Sequence, residues 1–402
     1  MNGSSLSADA PDRDVVPFTG RLPNILTLTG IFFLNFLARF VWGPLLPTIE
    51  TDLNIRHTAA GSLFIMISGG YFVGLLVSGH LSSRFNHQIT VVLSCLACAA
   101  ALVLATAATS LNGLRAALMV LGLTGGIYLP SGIASLTYRL APTDFGKALA
   151  FHETSPSLGF IVGPLLAELL LGYGGWRGVL WPVVSGLCLA AWIYVRRDWS
   201  GNDRGEAPTL ANMHRVLARP TFWWMLVPFM FAVAANIGVY SMLPLFLQAG
   251  RGVDRASANL LLSASRVAAI AAPLLSGWAT DRFGPRPVAG TTIVVGGVAT
   301  VMLALVSDRW LWLPMGIQSM MATAFFPAGF AILIAIVVPR DRSLMVSLVM
   351  PLSIVVGGGL IPTFIGVLAD AGRFNTAFAL VGLFITVSAV FLWRIGARGK
   401  HR

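Results

Sequence analysis

Two arginines stand where charge is costly. Arg39 lies inside the apolar stretch Leu22 to Pro47, and Arg266 inside Ala256 to Ala279. A guanidinium at bilayer depth disfavours insertion by about 2.5 to 3.5 kcal/mol on insertion scales, so it needs a polar cavity, a partner or a ligand to receive it. Its planar, permanently charged fork suits bidentate contact with carboxylate, nitrate or phosphate oxygens. Neither stretch carries an acidic residue, so the pattern points to a negative charge that arrives with a substrate. The competing assignment pairs Arg39 with Glu153 and turns Arg266 onto backbone carbonyls.

Two further groups could carry a proton. A carboxyl in a half-dry cavity that meets an arginine in one conformation and loses it in another can trade that arginine for a proton, which makes Glu153 the first candidate. His152 is the second. Neighbours on a helix point about 100° apart, so they cannot both aim straight at one cavity. Asn35, Tyr128, Asn236, Tyr240 and Gln318 could donate hydrogen bonds to substrate oxygens, or equally bond between helices. Phe325, Phe326 and Phe330 could gate or line the pocket but read first as packing, and Trp42, Trp181, Trp223, Trp224, Trp310 and Trp312 as interfacial anchors.

The elements that hold these groups are apolar helices. Of 402 residues 56% are hydrophobic and 11% charged, with a mean hydropathy of +0.79, a balance that belongs in a bilayer. Spanning takes roughly 20 apolar residues per helix. Twelve segments qualify: 23–47, 60–82, 88–109, 113–138, 147–172, 178–196, 222–249, 256–279, 287–306, 310–337, 343–368 and 374–396. They are numbered spans 1 to 12 below. The polar stretch 197–220 divides them six and six, giving a tail at 1–22, one bundle at 23–196, a linker at 197–220, a second bundle at 221–396 and a tail at 397–402. An internal repeat agrees. Gly79-His-Leu-Ser-Ser-Arg84-Phe85-Asn86 follows span 2, and Gly277-Trp-Ala-Thr-Asp281-Arg282-Phe283-Gly284 follows span 8, 198 residues later.

That loop pattern resembles the best-known motif of the major facilitator superfamily, G-x-L-x-D-R-x-G-R, and the resemblance covers nearly the whole chain. Gly277, Asp281, Arg282, Gly284 and Arg286 match it. The first copy keeps Gly79 and Arg84 but has Ser83 for the acid and Asn86 for the glycine. The resemblance implies an all-α membrane protein, twelve transmembrane helices in two pseudo-symmetric six-helix bundles. It also implies a latch formed by these loops, and a central cavity lined by spans 1, 2, 4, 5, 7, 8, 10 and 11. Gly159, Gly163 and Pro164 on span 5 are similar to a motif of proton-coupled antiporters in that family; physically they read as a close helix contact. An arginine on span 8 is similar to the arrangement in the family's organic-anion and nitrate carriers.

Charge placement orients the chain. Arg84, Lys147, the cluster from Arg196 to Arg219, Arg282, Arg286, Arg340 and the final Arg394 to Arg402 fall in alternate loops, so that side and both termini are expected in the cytoplasm. The basic excess is thereby explained without nucleic acid. No phosphate-binding G-x-x-x-x-G-K-[ST] loop is present, and Cys95, Cys98 and Cys188 fall inside apolar helices, so neither nucleotide nor metal nor any other cofactor is expected. The expected protein is a bacterial inner-membrane secondary transporter, not an enzyme. It would act as a monomer and move a small organic anion, most simply a carboxylate, with protons. A proton-driven efflux transporter for drugs or metabolites is the alternative. A non-transporting sensor would want an added signalling segment that the short termini do not supply.

Overall fold

In the computed structural model the described residues are 17–138, 140–196, 217–337 and 342–397, so most of the stretch read as a linker and most of both tails lie outside them. The described residues hold eleven helices long and apolar enough to cross a membrane. One of them supplies two crossings. The helix Thr154–Val195 would reach about 63 Å at 1.5 Å per residue, twice a bilayer core, and it folds back at Gly174 and Gly175, whose backbone angles are non-helical. Twelve crossings result.

Span 1 runs Phe18–Leu53, beginning inside the stretch read as tail, because Pro17 supplies a non-helical start and the apolar face continues back to Phe18. Two breaks matter for function, and proline causes both. Pro44 has no N–H for the Phe40 carbonyl, and span 1 is interrupted at Val41. Pro156 has none for the His152 carbonyl, and span 5 stops at His152 and restarts at Thr154. A proline ring also crowds the carbonyl four residues back, so each break falls one turn ahead of it. Arg39 and the His152–Glu153 pair therefore sit at helix interruptions. The second bundle uses a different device: π-helical turns at Ala234–Val239 in span 7 and Ile354–Leu360 in span 11, which pull carbonyls out of the regular ladder.

Spans 1 to 6 pack on one another, as do spans 7 to 12, and the bundles meet where span 2 crosses span 11, span 5 crosses span 8 and span 1 crosses span 7. The 198-residue repeat is visible in the backbone. Asn86 turns the chain with φ 84° and ψ 166°, and Gly284 with φ 86° and ψ 154°. A side chain at that angle is strained, and Asn86 offsets the strain by accepting a hydrogen bond from Ile89 N at 2.9 Å, capping span 3.

Candidate functional site

Arg39 is folded into the first bundle. Its Nε donates to the Asn35 carbonyl and to Asn35 Oδ1 at 3.3 and 3.2 Å, and its guanidinium lies 4.3 Å from the Tyr71 ring centre on span 2. Gly125 on span 4 makes the room, since a Cβ there would stand 2.9 Å from Arg39 Cδ. Asn35 in turn donates to the Gly125 carbonyl at 3.4 Å.

Arg266 is 1% exposed and more tightly held. It lies between two rings, 4.0 Å from the centre of Phe160 and 4.3 Å from that of Tyr240. Its two terminal nitrogens donate to Asn236 Oδ1 and to the Asn236 carbonyl, both at 2.6 Å. Gln318 donates to the neighbouring Ala235 carbonyl at 2.6 Å. The span 7 π-turn thus exposes two successive carbonyls, and side chains from spans 8 and 10 take one each. Arg266 Nε and Gln318 Oε1 remain buried without a partner.

The arginines do not meet directly. Phe36 and Phe40 flank Arg39, both contact Phe160, and Phe160 covers Arg266, so a layer of rings stands between the two charges. Nor does Arg39 pair with Glu153; among the described residues neither arginine touches a carboxylate. Phe160 was not singled out in the sequence. Its position beside Gly159, on the helix that carries Glu153, was the available signal.

His152 is fully buried, stacked 4.3 Å from Phe32. Tyr128 OH lies 2.9 Å from its Nε2 and 2.9 Å from the Leu28 carbonyl, while Nδ1 lies 3.4 Å from Glu153 Oε1, whose side chain is 58% exposed. The break at His152 turns the two neighbours opposite ways, one into the bundle and one out of it. Gly159 and Gly163 face span 1: a Cβ at 159 would stand 2.6 Å from Phe36 Cδ1, and one at 163 would stand 3.6 Å from Leu37 Cδ1. Pro164 is buried beside them.

Hydrogen bonds join the bundles in the middle and at the end opposite the start of span 1, here called the far mouth. Tyr240 donates to the Phe160 carbonyl, and Ser263 to the Ile161 carbonyl at 2.9 Å. At the far mouth Arg255 grips Glu168 with two bonds at 3.0 and 3.1 Å, and Asn259 donates to the same carboxylate at 2.9 Å. Asp370 accepts from the backbone of His57 and Thr58. At the near end Asp281 and Arg282 are exposed and Arg282 lies over Phe283, with Gly277, Gly284 and Arg286 beside them. Arg84 similarly lies over Phe85, with Gly79 five residues before it. A cavity of about 280 Å³ beside Gly284, Arg286 and Ile332 lies at that end and touches none of the candidate ligands. The bundles are joined at the far mouth, and the charged loop residues Asp281 and Arg282 of the near end are exposed.

The family model of the Major Facilitator Superfamily matches residues 28–264 and 238–402. A multidrug transporter of that superfamily from Aspergillus fumigatus is 26% identical over 187 residues, 46% of this chain and 35% of its own length. The uncharacterized transporter YgaY of Escherichia coli O157:H7 is 30% identical over 214 residues, 52% of this chain and 50% of its own. The chain therefore spans a third to a half of these curated relatives. Among solved structures, a bacterial homolog of the human lysosomal transporter Spinster, in an inward-facing and occupied conformation, superposes with a TM-score of 0.82 at 19% identity, covering 94% of this chain and 97% of that one. With family models covering nearly its whole length and twelve crossings in two bundles, this chain belongs to the major facilitator superfamily.

Proposed function

We propose that this transporter is a secondary carrier of a small organic anion, most simply a carboxylate, in a bacterial inner membrane, with both termini cytoplasmic and protons as the coupling ion. The far mouth is then periplasmic. One observation carries the reading: Arg39 inside the first bundle and Arg266 at the seam between the bundles are both buried without any acidic partner among the described residues, and Arg266 Nε still lacks an acceptor. With its faces held by rings and its far edge by Asn236, Arg266 keeps one edge for an incoming oxygen pair. Asn35, Asn236, Tyr240, Gln318 and Tyr128 border that region as secondary ligands or supports.

The proton would sit on His152 and Glu153. Tyr128 has one hydroxyl proton for two contacts; given to the Leu28 carbonyl, which can only accept, it leaves His152 Nε2 to donate to the Tyr128 oxygen. Nδ1 then faces the Glu153 carboxylate with a lone pair, and a proton between the two removes that repulsion. Glu153, being exposed, exchanges it with water.

The test is thermal stabilisation of the purified protein by mono- and dicarboxylates, inorganic anions and lipophilic cations. Stabilisation by one anion class that disappears in Arg39→Gln and Arg266→Gln supports the reading, and unaltered stabilisation in both variants overturns it. The span 5 motif and the multidrug relative favour a second reading, proton-driven efflux; stabilisation by lipophilic cations alone would select it.

A further inference from the structure

The far mouth contains a titratable cluster separate from the midplane. Span 2 begins at His57, and Arg56, at its N-cap position, gives no side-chain cap. The cap comes instead from the other bundle. Asp370, at the end of span 11, accepts from His57 N at 2.8 Å, Thr58 N at 3.1 Å and Thr58 Oγ1 at 2.6 Å, at the helix end where a carboxylate is favoured. On the opposite side His57 Nδ1 lies 2.8 and 3.0 Å from the two oxygens of Glu50, and its ring lies 4.9 Å from that of Phe374. Parting the mouth removes Asp370 from His57 and lets water reach Glu50.

The repeat supplies a control within the molecule. Arg255, 198 residues after His57, opens span 8 as His57 opens span 2, and it grips Glu168 of span 5 as the start of span 2 grips Asp370 of span 11. One clasp grips through a permanent cation, and the other grips through backbone N–H groups and the Thr58 hydroxyl with an imidazole beside them.

We propose that His57, held between Glu50 and Asp370, is a proton-binding site distinct from the His152–Glu153 pair, and that a proton bound there holds the far mouth shut. This depends on alternating access and not on what is carried. Glu50 stands about one turn before the end of span 1, and His57 opens span 2, so both are at the far-mouth ends of their helices. The other charges around them are Arg115 of span 4, held on Ser62 at 2.8 Å, and the exposed Arg56 and Arg373.

Admitting water by itself favours the charged imidazolium and so opposes the effect at His57. But shutting brings a second carboxylate, Asp370, to the Glu50–His57 pair. A proton there reduces the cluster from two negative charges to one, so the shut mouth holds the proton more tightly than the open one. Acid on that side therefore favours closure. For His57 the effect grows as pH falls toward the ordinary imidazole range, about pH 6.5. A single site changes the shut-to-open ratio by no more than tenfold per pH unit.

The experiment reads the distance between spin labels at Thr51→Cys and Ser307→Cys, exposed far-mouth positions on the two bundles, in a Cys188→Ser background without substrate, from pH 8.5 to 5.5. The short-distance population should grow as pH falls, with His57→Gln flattening the profile, Asp370→Asn weakening it and His152→Gln leaving it in place. Circular dichroism and melting of each variant identify any that fails to fold, and Glu50→Gln, which keeps the fold of both clasps, should shift the midpoint to lower pH. A wild-type profile retained in His57→Gln, or one abolished by His152→Gln instead, overturns the proposal. Loss of anion binding with the profile intact would count against the substrate reading alone.

Discussion

Closure of the far mouth depends on the bare backbone of two glycines, so enlarging either should shift the transport cycle and not merely weaken the fold. Gly61 on span 2 lies so close to span 11 that a Cβ would stand 2.5 Å from the Pro362 carbonyl oxygen and 2.9 Å from Thr363 Cα. Gly366 on span 11 faces span 2 in the same way, with its Cβ running into the His57 carbonyl oxygen and 2.9 Å from Thr58 Cα. The obstructing atoms are backbone, so no side chain can rotate out of the way. Overpacking of this kind costs about 1 to 3 kcal/mol. Because the contact joins the two bundles, that cost falls on the shut state alone, and a bias of about 1 to 3 kcal/mol changes a two-state ratio about 5- to 150-fold.

Gly61→Ala and Gly366→Ala should therefore raise the long-distance population of the Thr51–Ser307 label pair. Gly122→Ala is the control: its Cβ would strike the Ile67 carbonyl oxygen and stand 2.9 Å from Tyr71 N, an equally tight crossing, but between spans 2 and 4 of one bundle. That contact is common to both states, so the variant should lose melting temperature without a change in distance. If the Gly366 and Gly122 variants melt alike and neither moves the label distances, the crossing of spans 2 and 11 is not a gate and the reasoning fails.

Two other outcomes follow from the geometry. Restoring an N–H in Pro156→Ala should let span 5 run unbroken through His152 and turn that ring away from Tyr128, abolishing proton-driven uptake in proteoliposomes while substrate exchange without a gradient persists; equal loss of both would refute the pairing. Asn86→Gly should melt within about a degree of the parent, because glycine already serves the same turn at Gly284, whereas Asn86→Ala loses the cap and retains the strain, at about 1 to 2 kcal/mol, read as a clear fall in melting temperature.

Much of the fold was legible because each layer of it has a one-dimensional signature. Apolar runs of bilayer length set the crossings, and the 198-residue repeat set their symmetry, down to the matching turns at Asn86 and Gly284. The arginines were legible for the same reason, since a charge inside an apolar run is conspicuous without any three-dimensional information. What surrounds them was not. Aromatic residues are abundant in such helices, and only packing reveals that Phe160 and Tyr240 lie on the two faces of Arg266. The relation between Glu168 and Arg255, or between Asp370 and span 2, joins residues 87 and more than 300 positions apart, each of which alone reads as an ordinary wet loop charge.

The sequence pattern also placed the conformational control at the near end, in the two loop motifs, and the structure finds the second lever at the opposite end. These are complementary. In a carrier whose bundles rock about their middle, contacts at the near end stabilise one state and contacts at the far mouth the other, so the exposure of Asp281 and Arg282 and the engagement of Glu168 and Asp370 are two consequences of one position. A cycle then requires the two sets to be close in strength. The far mouth holds one permanent ion pair and one helix cap lent across the seam, a combination strong enough to shut and weak enough to part, and only the second of these contains a group that titrates near neutrality. Strengthening the first clasp should slow opening at every pH, and strengthening the second should slow it in acid alone.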